Sequence, residues 1–418
     1  MLLPTSREVL RNGDVHFEFR PGSDFHFLTG FPEPQAVLVA WRTGRGKHRS
    51  VWFVRPRDIE REIWDGRRSG VAGARRTYGA DEAYPIEELW DRLPGLLGTH
   101  KTLFHRLGRD AAFDQRLLQV FATIAQRQRR QNAPAHPAIV DPTPAIAELR
   151  MIKDRVELAA LRQAAAITVD GHRAAMQAAQ PGQYEYEAQA VMEAVFRSAG
   201  SARNGYPSIV ASGPNACVLH YHENDRKMKK GDLLLIDAGA EVGGLTADVT
   251  RTFPVSGVFT EAQAAVYRVV LRAQLAGIRG VKPGASWEAP HIRCQRELTR
   301  GLVELGVLRG DPRKLHAKAA FKPWYMHGTS HWLGRDVHDV GAYQDADGKP
   351  ARLRAGAVLT VEPGLYFGSR DTRVPAELRG IGIRIEDDVL VTEGGSEVLT
   401  DALPKKVAAV EALCQARG

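Results

Sequence analysis

The chain has few cysteines and no long apolar run. The first shortage argues against a disulfide-rich protein, and the second argues against a membrane-spanning one. Its 418 residues include three cysteines, Cys217, Cys294 and Cys414, none of them in a CxxC pair. This count argues against a disulfide framework and a zinc–thiolate site, and it suits reduced thiols. No stretch approaches the ~20 apolar residues of a membrane span, and the N-terminus lacks the pattern of a signal peptide. We therefore expect a cytoplasmic protein with no membrane contact.

Positive charge is in excess but is not concentrated. The net charge of +8 is spread along the chain. The densest basic stretch, residues 127–130, is short and continues a helical pattern, which is typical of a solvated helix face. Nucleic-acid binding is therefore not expected.

Length and element order indicate two domains. Predicted strands at residues 37–41 and 50–54 alternate with helical stretches, which favours an α/β domain before residue 125. Prolines concentrate between Asn132 and Pro144, where we place a linker. The predicted domains are residues 1–143 and 144–418, and the second begins with one long helix over residues 144–173.

The C-terminal part repeats one order of elements. Two predicted helices precede a glycine-led strand at residues 231–237, and two more precede a similar strand at residues 356–362. The strands end in Asp237 and Glu362, and each acid is followed at once by a turn. A second strand in each half carries a further acid, Asp248 or Glu386. This order predicts an α+β domain with an internal pseudo-twofold repeat.

Residues 231–253 are predicted to form a β-hairpin. If its turn centres between Val242 and Gly243, Asp237 lies directly opposite Asp248. Like charges in that position are destabilising, so something positive should lie between them. The alternative is a register slip of one or two residues that leaves both carboxylates solvated.

Four carboxylates converge if the two halves face each other. About four negative charges cannot stay unpaired in a packed domain, and two divalent cations would neutralise them. The four acids are Asp237, Asp248, Glu362 and Glu386.

Histidines add a neutral ligand to these acids. His327, His331 and His338 crowd into the stretch between the halves, and His220 holds a comparable place in the first half. Oxygen ligands with one imidazole suit Mn²⁺, with Co²⁺, Fe²⁺ or Zn²⁺ also possible. Because two adjacent cations can supply a hydroxide at neutral pH and hold a carbonyl, the residues indicate a dinuclear metallohydrolase of unspecified substrate.

The motifs resemble those of the pita-bread metallopeptidases, above all the aminopeptidase P (Xaa-Pro aminopeptidase) family, which is close to prolidase. The resemblance rests on IDAG…ADVTRTFPV, HGTSHWLGRDVHD, TVEPGLY and GIRIEDD, and at the N-terminus on SDFHFLTGFPEPQAVLV and EIWDGRR. It implies an α/β creatinase-like domain followed by an α+β pita-bread domain. It also implies removal of the N-terminal residue from peptides that have proline at the second position.

The resemblance implies a set of metal ligands as well. Asp248 and Glu386 would contact both metals, and Glu362 would also carry the proton when a hydroxide attacks the carbonyl before proline. The implied ligands are Asp237, Asp248, His331, Glu362 and Glu386.

Other residues would act on the substrate or on the ligands. His220, His327 and His338 would bind the substrate or stabilise the tetrahedral intermediate, a role for positioned N–H groups. Tyr366 and Arg384 are similar to residues that orient metal ligands. Trp64 is similar to a tryptophan that reaches a neighbouring subunit's active site, which implies a homo-oligomer, a dimer or a tetramer.

Two stretches depart from the family pattern. After Tyr343 the chain reads QDADGKPARLR, where an arginine-containing loop is expected. Either Arg352 or Arg354 takes the place of that arginine, or no residue does. The linker also lacks an arginine expected near Asp141. Both departures concern recognition of the substrate beyond proline.

Four other readings stay open at this point. Prolidase accepts only Xaa-Pro dipeptides and needs a cation for the proline carboxylate, for which Arg352 is the candidate. Methionine aminopeptidase lacks the N-terminal domain, and a creatinase-like amidinohydrolase works without metals. A metal-free binding protein on the same fold is the remaining alternative, and the intact ligand set argues against it.

Overall fold

The computed structural model describes residues 1–129 and 136–416. The chain divides into two compact units, Met1–Ala147 and Glu148–Gly418. The sequence-based boundary follows residue 143 and stays a prediction. Part of the predicted linker, Asn132 to Ala135, lies outside the described residues, and so does Arg130 of the basic stretch.

The N-terminal unit has the α/β fold expected from its alternating elements. Its strands are β1 (Leu2–Pro4), β2 (Leu10–Asn12), β3 (Val15–His16), β4 (Val37–Gly44), β5 (Lys47–Val54), β6 (Glu82–Pro85), β7 (Thr102–Phe104) and β8 (Ala138–Val140). Its helices are α1 (Ser23–Thr29), α2 (Ile59–Asp65), α3 (Gly70–Arg76), α4 (Leu89–Leu97) and α5 (Ala111–Gln128), and α6 (Thr143–Met151) begins in it. The main sheet has the order β1-β4-β5-β6, with only β6 parallel to its neighbour.

Both faces of this sheet are covered. Side chains alternate along a strand, so Val51 and Phe53 of β5 pack in one core, while Trp52 and Val54 pack in another. A sheet buried on both faces is what an α/β domain requires.

The second unit holds the remaining elements. Its strands are β9 (Arg203–Asn204), β10 (Ile209–Ser212), β11 (Leu233–Ala238), β12 (Ala240–Val242), β13 (Leu245–Thr246), β14 (Val249–Pro254), β15 (Val358–Val361), β16 (Gly364–Tyr366), β17 (Gly382–Arg384), β18 (Asp387–Val391) and β19 (Ser396–Val398). Its helices are α7 (Arg155–Ala178), α8 (Glu185–Ser198), α9 (Glu261–Ile278), α10 (Glu288–Glu304), α11 (Pro312–Ala317) and α12 (Val407–Gln415).

The predicted internal repeat is confirmed by the order of these elements. Helices α7 and α8 precede the antiparallel pair β11 and β14, and helices α9 and α10 precede the antiparallel pair β15 and β18. The two pairs belong to three-stranded sheets of order β10-β11-β14 and β15-β18-β19. Each half therefore delivers one acid-bearing strand end and its partner strand to the same domain.

The long helix predicted over residues 144–173 is in fact two helices. Helix α6 ends at Met151, and α7 begins at Arg155. Asp154 caps α7 by accepting hydrogen bonds from the N–H groups of Val156 and Glu157, which is a standard N-terminal cap. At the break, the N–H of Lys153 donates to the carbonyl of Gly356 at 2.9 Å. A tertiary hydrogen bond and a cap thus override the continuous apolar period.

Membrane insertion finds no support in the helices of residues 1–129 and 136–416. None of them is both long enough and apolar enough to span a bilayer. The 24-residue helix α7, for example, carries charged side chains along its length.

Candidate active site

The hairpin that carries Asp237 and Asp248 turns one residue later than expected. Gly243 and Gly244 occupy the centre of the turn with φ of +60° and +78°, as a type I′ turn requires. The expected register would put a β-branched valine in that conformation, where it is strained. Asp237 consequently pairs with Thr250, and the predicted direct opposition of the two aspartates is wrong.

The two aspartates nevertheless meet on one face. Asp248 lies in the gap between β13 and β14, diagonally across from Asp237, and diagonal neighbours on one face remain within reach of side chains. The hydroxyl of Tyr206 lies 2.7 Å from Asp237 Oδ1 and also contacts Asp248 Oδ1. Tyr206 was missed by sequence reasoning, because a tyrosine between Gly205 and Pro207 belongs to no ligand motif.

Glu386 and Arg384 join the second half to this hairpin. The hydroxyl of Thr250 donates to Glu386 Oε2 at 2.6 Å, and the N–H of Glu386 donates to the Thr250 carbonyl at 3.1 Å. The Arg384 guanidinium pairs with Asp237 Oδ2 and donates to the hydroxyl of Tyr366 at 3.1 Å. The positive group expected beside the aspartates is therefore, in part, Arg384.

Two histidines lie beside Glu362, which follows β15. His331 Nε2 is 3.3 Å from Asp248 Oδ2 and 3.7 Å from Glu362 Oε1. His327 Nδ1 is 3.6 Å from Glu362 Oε2, and its Nε2 lies 2.8 Å from the hydroxyl of Tyr366. The N–H of Glu362 donates to the carbonyl of Thr329 at 2.8 Å, which ties the end of β15 to the histidine stretch.

These groups line one open cavity of about 530 Å³. His338 is on its wall with its ring centroid 4.4 Å from that of His331, and His220 is on the wall as well. The lining also includes apolar side chains such as Ile209 and Val337, and further polar ones such as His222 and Ser330. Predicted site residues among the lining are Asp237, Asp248, Glu362, Glu386, Arg384, His220, His327, His331 and His338.

Tyr366 is not among the lining residues, but its hydroxyl contacts His327 and Arg384, which are. Two further predicted site residues, Arg352 and Trp64, are not among the lining residues either. Arg352 is exposed, with its guanidinium 3.4 Å from the carbonyl of Gly284, and it is not among the residues that line the cavity. Trp64 lies on α2 in the N-terminal unit with 85% of its surface exposed. The roles assigned to both residues stay predictions.

Burial, and then repulsion between their charges, raises the pKa of two acids of the site. Burial, with the charges of Asp248 and Glu362, raises the pKa of Glu386 well above its usual range. Burial likewise raises the pKa of Glu362 to about 7, against the opposing charges of His331 and Arg384. Burial would lower the pKa of His331, but its hydrogen bond to Asp248 raises it to about 9. The side chains of the site therefore hold protons where cations would otherwise supply the positive charge.

The donor set fits such a cation. One ligand atom from each of Asp248, His331 and Glu386 lies within 4.8 Å of the other two. Two carboxylates and one imidazole are ligands that suit a divalent first-row metal. Since burial disfavours their unpaired negative charge, binding of a cation would relieve the cost of ionising both acids.

Comparison with known families agrees with this site. A sequence model of metallopeptidase family M24 matches residues 159–393, a range that contains every candidate ligand. The chain belongs to metallopeptidase family M24. A second model, for the N-terminal domain of aminopeptidase P, matches residues 1–104. The M24 domain is thus accompanied by an N-terminal domain of the kind that the sequence motifs implied.

M24 relatives extend the likeness over nearly the whole chain. The Xaa-Pro aminopeptidase of Escherichia coli (strain K12) is 42% identical over 413 residues, 99% of this chain and 92% of that protein. The Xaa-Pro aminopeptidase of Haemophilus influenzae is 42% identical over 414 residues, with the same coverage of 99% and 92%. The structure of Pseudomonas aeruginosa aminopeptidase PepP has a TM-score of 0.96 at 44% identity, over 99% of this chain and 93% of that one. Zinc-substituted E. coli aminopeptidase P with product has a TM-score of 0.95 at 42% identity, over 99% and 93%. The predicted two-domain fold is confirmed.

Replacing Glu362 with glutamine should change how the stability of the metal-free M24 enzyme depends on pH. The pKa of Glu362 rises from 4.5 to about 7 on folding, chiefly through burial. Its stabilising contribution is therefore present below pH 4.5 and is lost as the pH rises through 7. Between pH 5 and 7, chelator-treated wild type should lose roughly 2–3 kcal/mol of unfolding free energy relative to Glu362→Gln.

Urea unfolding of both proteins at pH 5, 6 and 7 measures this difference. Titration of other groups that the two proteins share largely cancels in the comparison. Glu304→Gln, on an exposed part of α10 with 45% of its side chain accessible, is the control and should follow wild type. Parallel pH curves for wild type and Glu362→Gln would show that Glu362 is not held protonated by the site.

Proposed function

We propose that this protein is a dinuclear-metal Xaa-Pro aminopeptidase, which removes the N-terminal residue from peptides with proline at the second position. One observation carries the proposal: acids from both halves meet His331 in one cavity of an M24 domain. Relatives 42% identical over 99% of the chain are named Xaa-Pro aminopeptidases, which supports the proline specificity.

Two divalent cations complete the proposed site, with Mn²⁺ as the first candidate and Co²⁺, Fe²⁺ or Zn²⁺ also suited to the ligands. When bound, they would lower the pKa of a coordinated water and polarise the scissile carbonyl. Asp248 and Glu386 are proposed to contact both cations. The proposed ligands are Asp237, Asp248, His331, Glu362 and Glu386.

Glu362 is the proposed proton carrier. Burial raises the pKa of Glu362 to about 7 in the metal-free site, and a buried carboxyl group whose pKa is moved towards neutral pH is suited to carry a proton. Bound cations would favour its ionised form. Its place beside His327 and His331 supports this role, because the scissile bond is proposed to lie at the same wall of the cavity.

Both ring nitrogens of His327 make hydrogen bonds within the protein, which distinguishes this residue from His220 and His338. Burial lowers the pKa of His327 to about 3, so its ring is neutral and carries one N–H. Nδ1 lies 2.6 Å from the Gly328 carbonyl and must donate, which leaves Nε2 to accept from the Tyr366 hydroxyl. Arg384 in turn donates to Tyr366. His220 and His338 are therefore the histidines proposed to donate to the substrate.

The cavity wall supports recognition of a prolyl ring. Ile209, Leu219 and Val337 line it together with the histidines. Mixed apolar and polar linings of this kind fix both the shape and the orientation of a ligand. We propose that the prolyl ring packs on this apolar part.

A homo-oligomer, dimer or tetramer, is proposed from the exposed face of α2. Trp64 is 85% exposed, and Ile59 and Ile63 on the same helix are 78% and 77% exposed. A cluster of large exposed apolar side chains is typical of an interaction surface. No disulfide joins the three cysteines, which all lie among the described residues, and this supports the proposed cytoplasmic location. Partners other than peptides and further copies of this chain are not proposed.

A peptide series tests the proposed activity. The Mn²⁺-loaded protein should cleave Xaa-Pro-Yaa and longer Xaa-Pro peptides, and should cleave the matched Xaa-Ala-Yaa peptide at least about tenfold less efficiently, since a pocket shaped for one ring discriminates by roughly 1–3 kcal/mol. Release of the N-terminal residue, followed by mass spectrometry, gives kcat/KM for each peptide.

The Xaa-Pro dipeptide is the deciding comparison with prolidase. Cleavage of the dipeptide alone would replace the proposal with prolidase. Arg352, the cation that prolidase activity would require, is not among the lining residues, and we therefore expect longer peptides to be accepted. Failure to cleave any of these peptides with any of the four cations would contradict the proposal altogether.

A further inference from the structure

The stretch from His331 to Asp339 carries two cavity histidines without a helix or strand of its own. Its backbone closes on itself, because the N–H of Asp339 donates to the carbonyl of Trp332 at 2.8 Å. It is joined to the first half where the N–H of Thr246 donates to the Gly334 carbonyl at 2.9 Å. Any shift of this stretch displaces the imidazoles that line the cavity.

Two cations outside the cavity, Arg150 and Lys153, hold this stretch by its own Asp336 and Asp339. We call these four residues the ion clamp. Lys153 Nζ is 2.9 Å from Asp339 Oδ2. Arg150 Nη2 pairs with Asp339 Oδ1 and lies 2.8 Å from Asp336 Oδ2. The clamp has two positive and two negative groups and is neutral as a whole. Removal of one charge would therefore leave an opposite charge without its partner.

The clamp is closely packed. The side chains of Arg150, Lys153 and Asp339 are 2%, 2% and 1% exposed. A Cβ atom on Gly334 would lie 2.1 Å from Asp339 Oδ2 and 2.8 Å from Lys153 Nζ. A glycine is therefore required here so that the chain can approach the carboxylate closely.

The cations come from the helix break described above. Arg150 is in the last turn of α6, and Lys153 lies in the break before α7, where its Nζ also donates to the Arg150 carbonyl at 2.6 Å. Backbone and side chain of Lys153 are thus both fixed, one by the Gly356 carbonyl and the other by the clamp.

Stability alone is a poor explanation for these charges. The cost of desolvating buried ions often cancels their attraction, and a well-attested use of buried ion pairs is to specify one arrangement. None of the four clamp residues is among the residues that line the cavity. They can therefore affect the site only by fixing the position of the stretch from His331 to Asp339.

We propose that Asp339, held by Arg150 and Lys153, is a positioning residue that sets the places of His331 and His338. The inference rests on the proposed peptidase function. Asp339 is next to His338 in the chain, and its N–H bonds to Trp332, the neighbour of His331. The carboxylate of Asp339 therefore anchors the end of the stretch beside His338, and the backbone of the same residue ties that end to the neighbour of His331.

Asp339→Asn tests this inference, because asparagine keeps the shape and removes the charge. We expect kcat for an Xaa-Pro-Yaa peptide to fall about 10–100-fold, as for other partners that orient site residues, with KM nearly unchanged. The free Mn²⁺ concentration that half-loads the protein should rise about tenfold, measured as bound manganese after equilibrium dialysis.

Asp232→Asn is the matched control. Asp232 pairs with Arg226 at 2.7 Å, with 14% of its side chain exposed, and neither residue lines the cavity. It should lower the melting temperature and leave kcat and manganese loading unchanged. If Asp339→Asn behaves like this control in both measurements, the positioning role is refuted.

A second variant covers the case in which Asp339→Asn does not fold. Asp336 is 40% exposed, so Asp336→Asn should fold, and a several-fold fall in kcat supports the clamp, whereas an unchanged kcat refutes it. The experiment also distinguishes failure of the proposed peptidase function from failure of the positioning role. If wild type cleaves no Xaa-Pro peptide but Asp339→Asn still needs more Mn²⁺, the function fails and the clamp stands.

Discussion

Asp248→Ala should reduce cleavage of Xaa-Pro peptides on the order of 10³-fold, which corresponds to about 4 kcal/mol of transition-state stabilisation, whereas Asp237→Ala should cost on the order of 10²-fold. Asp248 shares the compact donor set with His331 and Glu386 and is proposed to contact both cations. Asp237 is proposed to contact one cation. Loss of Asp248 should therefore remove more bound metal than loss of Asp237.

The two variants should rank in the opposite order for stability: Asp237→Ala should lose more free energy of unfolding than Asp248→Ala. Asp237 pairs with Arg384, whose side chain is 5% exposed, so Asp237→Ala leaves a buried cation without this partner. Breaking a buried pair from one side typically costs about 3–5 kcal/mol. Asp248 carries a raised pKa, through burial first and then through repulsion by Asp237, so its removal should destabilise the metal-free protein less.

Metal content, kcat/KM and urea unfolding of the two variants test both orders together. Asp232→Ala, which alters an ion pair outside the cavity, is the control for a general loss of stability. If Asp248→Ala kept both cations and most of the activity, Asp248 could not be the shared ligand. If both variants lost stability equally, the Arg384 pairing would not matter as described.

The hairpin shows what sequence can predict about this site and what it cannot. The prediction of a β-hairpin over residues 231–253 is enough to bring Asp237 and Asp248 to one face. It is not enough to fix the register, which depends on which residues take positive φ at the turn. A shift of one residue at the turn changes the partner of Asp237 to Thr250 and preserves the face.

Contacts between distant segments were the part that sequence could not supply. Tyr206 bridges the two aspartates, yet a tyrosine carries no ligand signal. The break between α6 and α7 depends on a hydrogen bond from Lys153 to Gly356, about half the chain away. Local periodicity does not encode such pairs, because tertiary contacts override local propensity.

The acids themselves were predictable for a physical reason. Each half repeats a strand that ends in an acid and a partner strand that carries another, so the duplication doubles one local pattern. Strand pairing then fixes where the side chains meet, and Thr250 links the halves by bonding Glu386 through both backbone and side chain. Arg352 belongs to no repeated pattern, and its predicted place in the site finds no support in the cavity lining.

Chelation should abolish activity, by more than about 10³-fold, and Mn²⁺ should restore it with a release of protons. The metal-free site holds protons at pH 7, because the pKa of His331 is raised to about 9 and burial raises the pKa of Glu386 well above its usual range. Both groups must lose a proton to bind a cation. Glu362, whose pKa is about 7, is partly protonated as well and would add part of a third proton. Titration of Mn²⁺ into chelated protein at pH 7 should therefore release about two to three protons per chain.

Calorimetric titration in buffers of different ionisation enthalpy counts these protons, and a peptide assay on the same sample follows the recovery of activity. His331→Ala and Glu386→Gln should each release about one proton fewer than wild type, since each variant lacks one of the two groups. Glu304→Gln should release as many protons as wild type. If Mn²⁺ neither binds nor restores cleavage, the metal-free binding protein becomes the better reading of the fold. If it restores cleavage without proton release, His331 and Glu386 are not ligands that lose protons on binding, and the carboxylates near them must carry the cations alone.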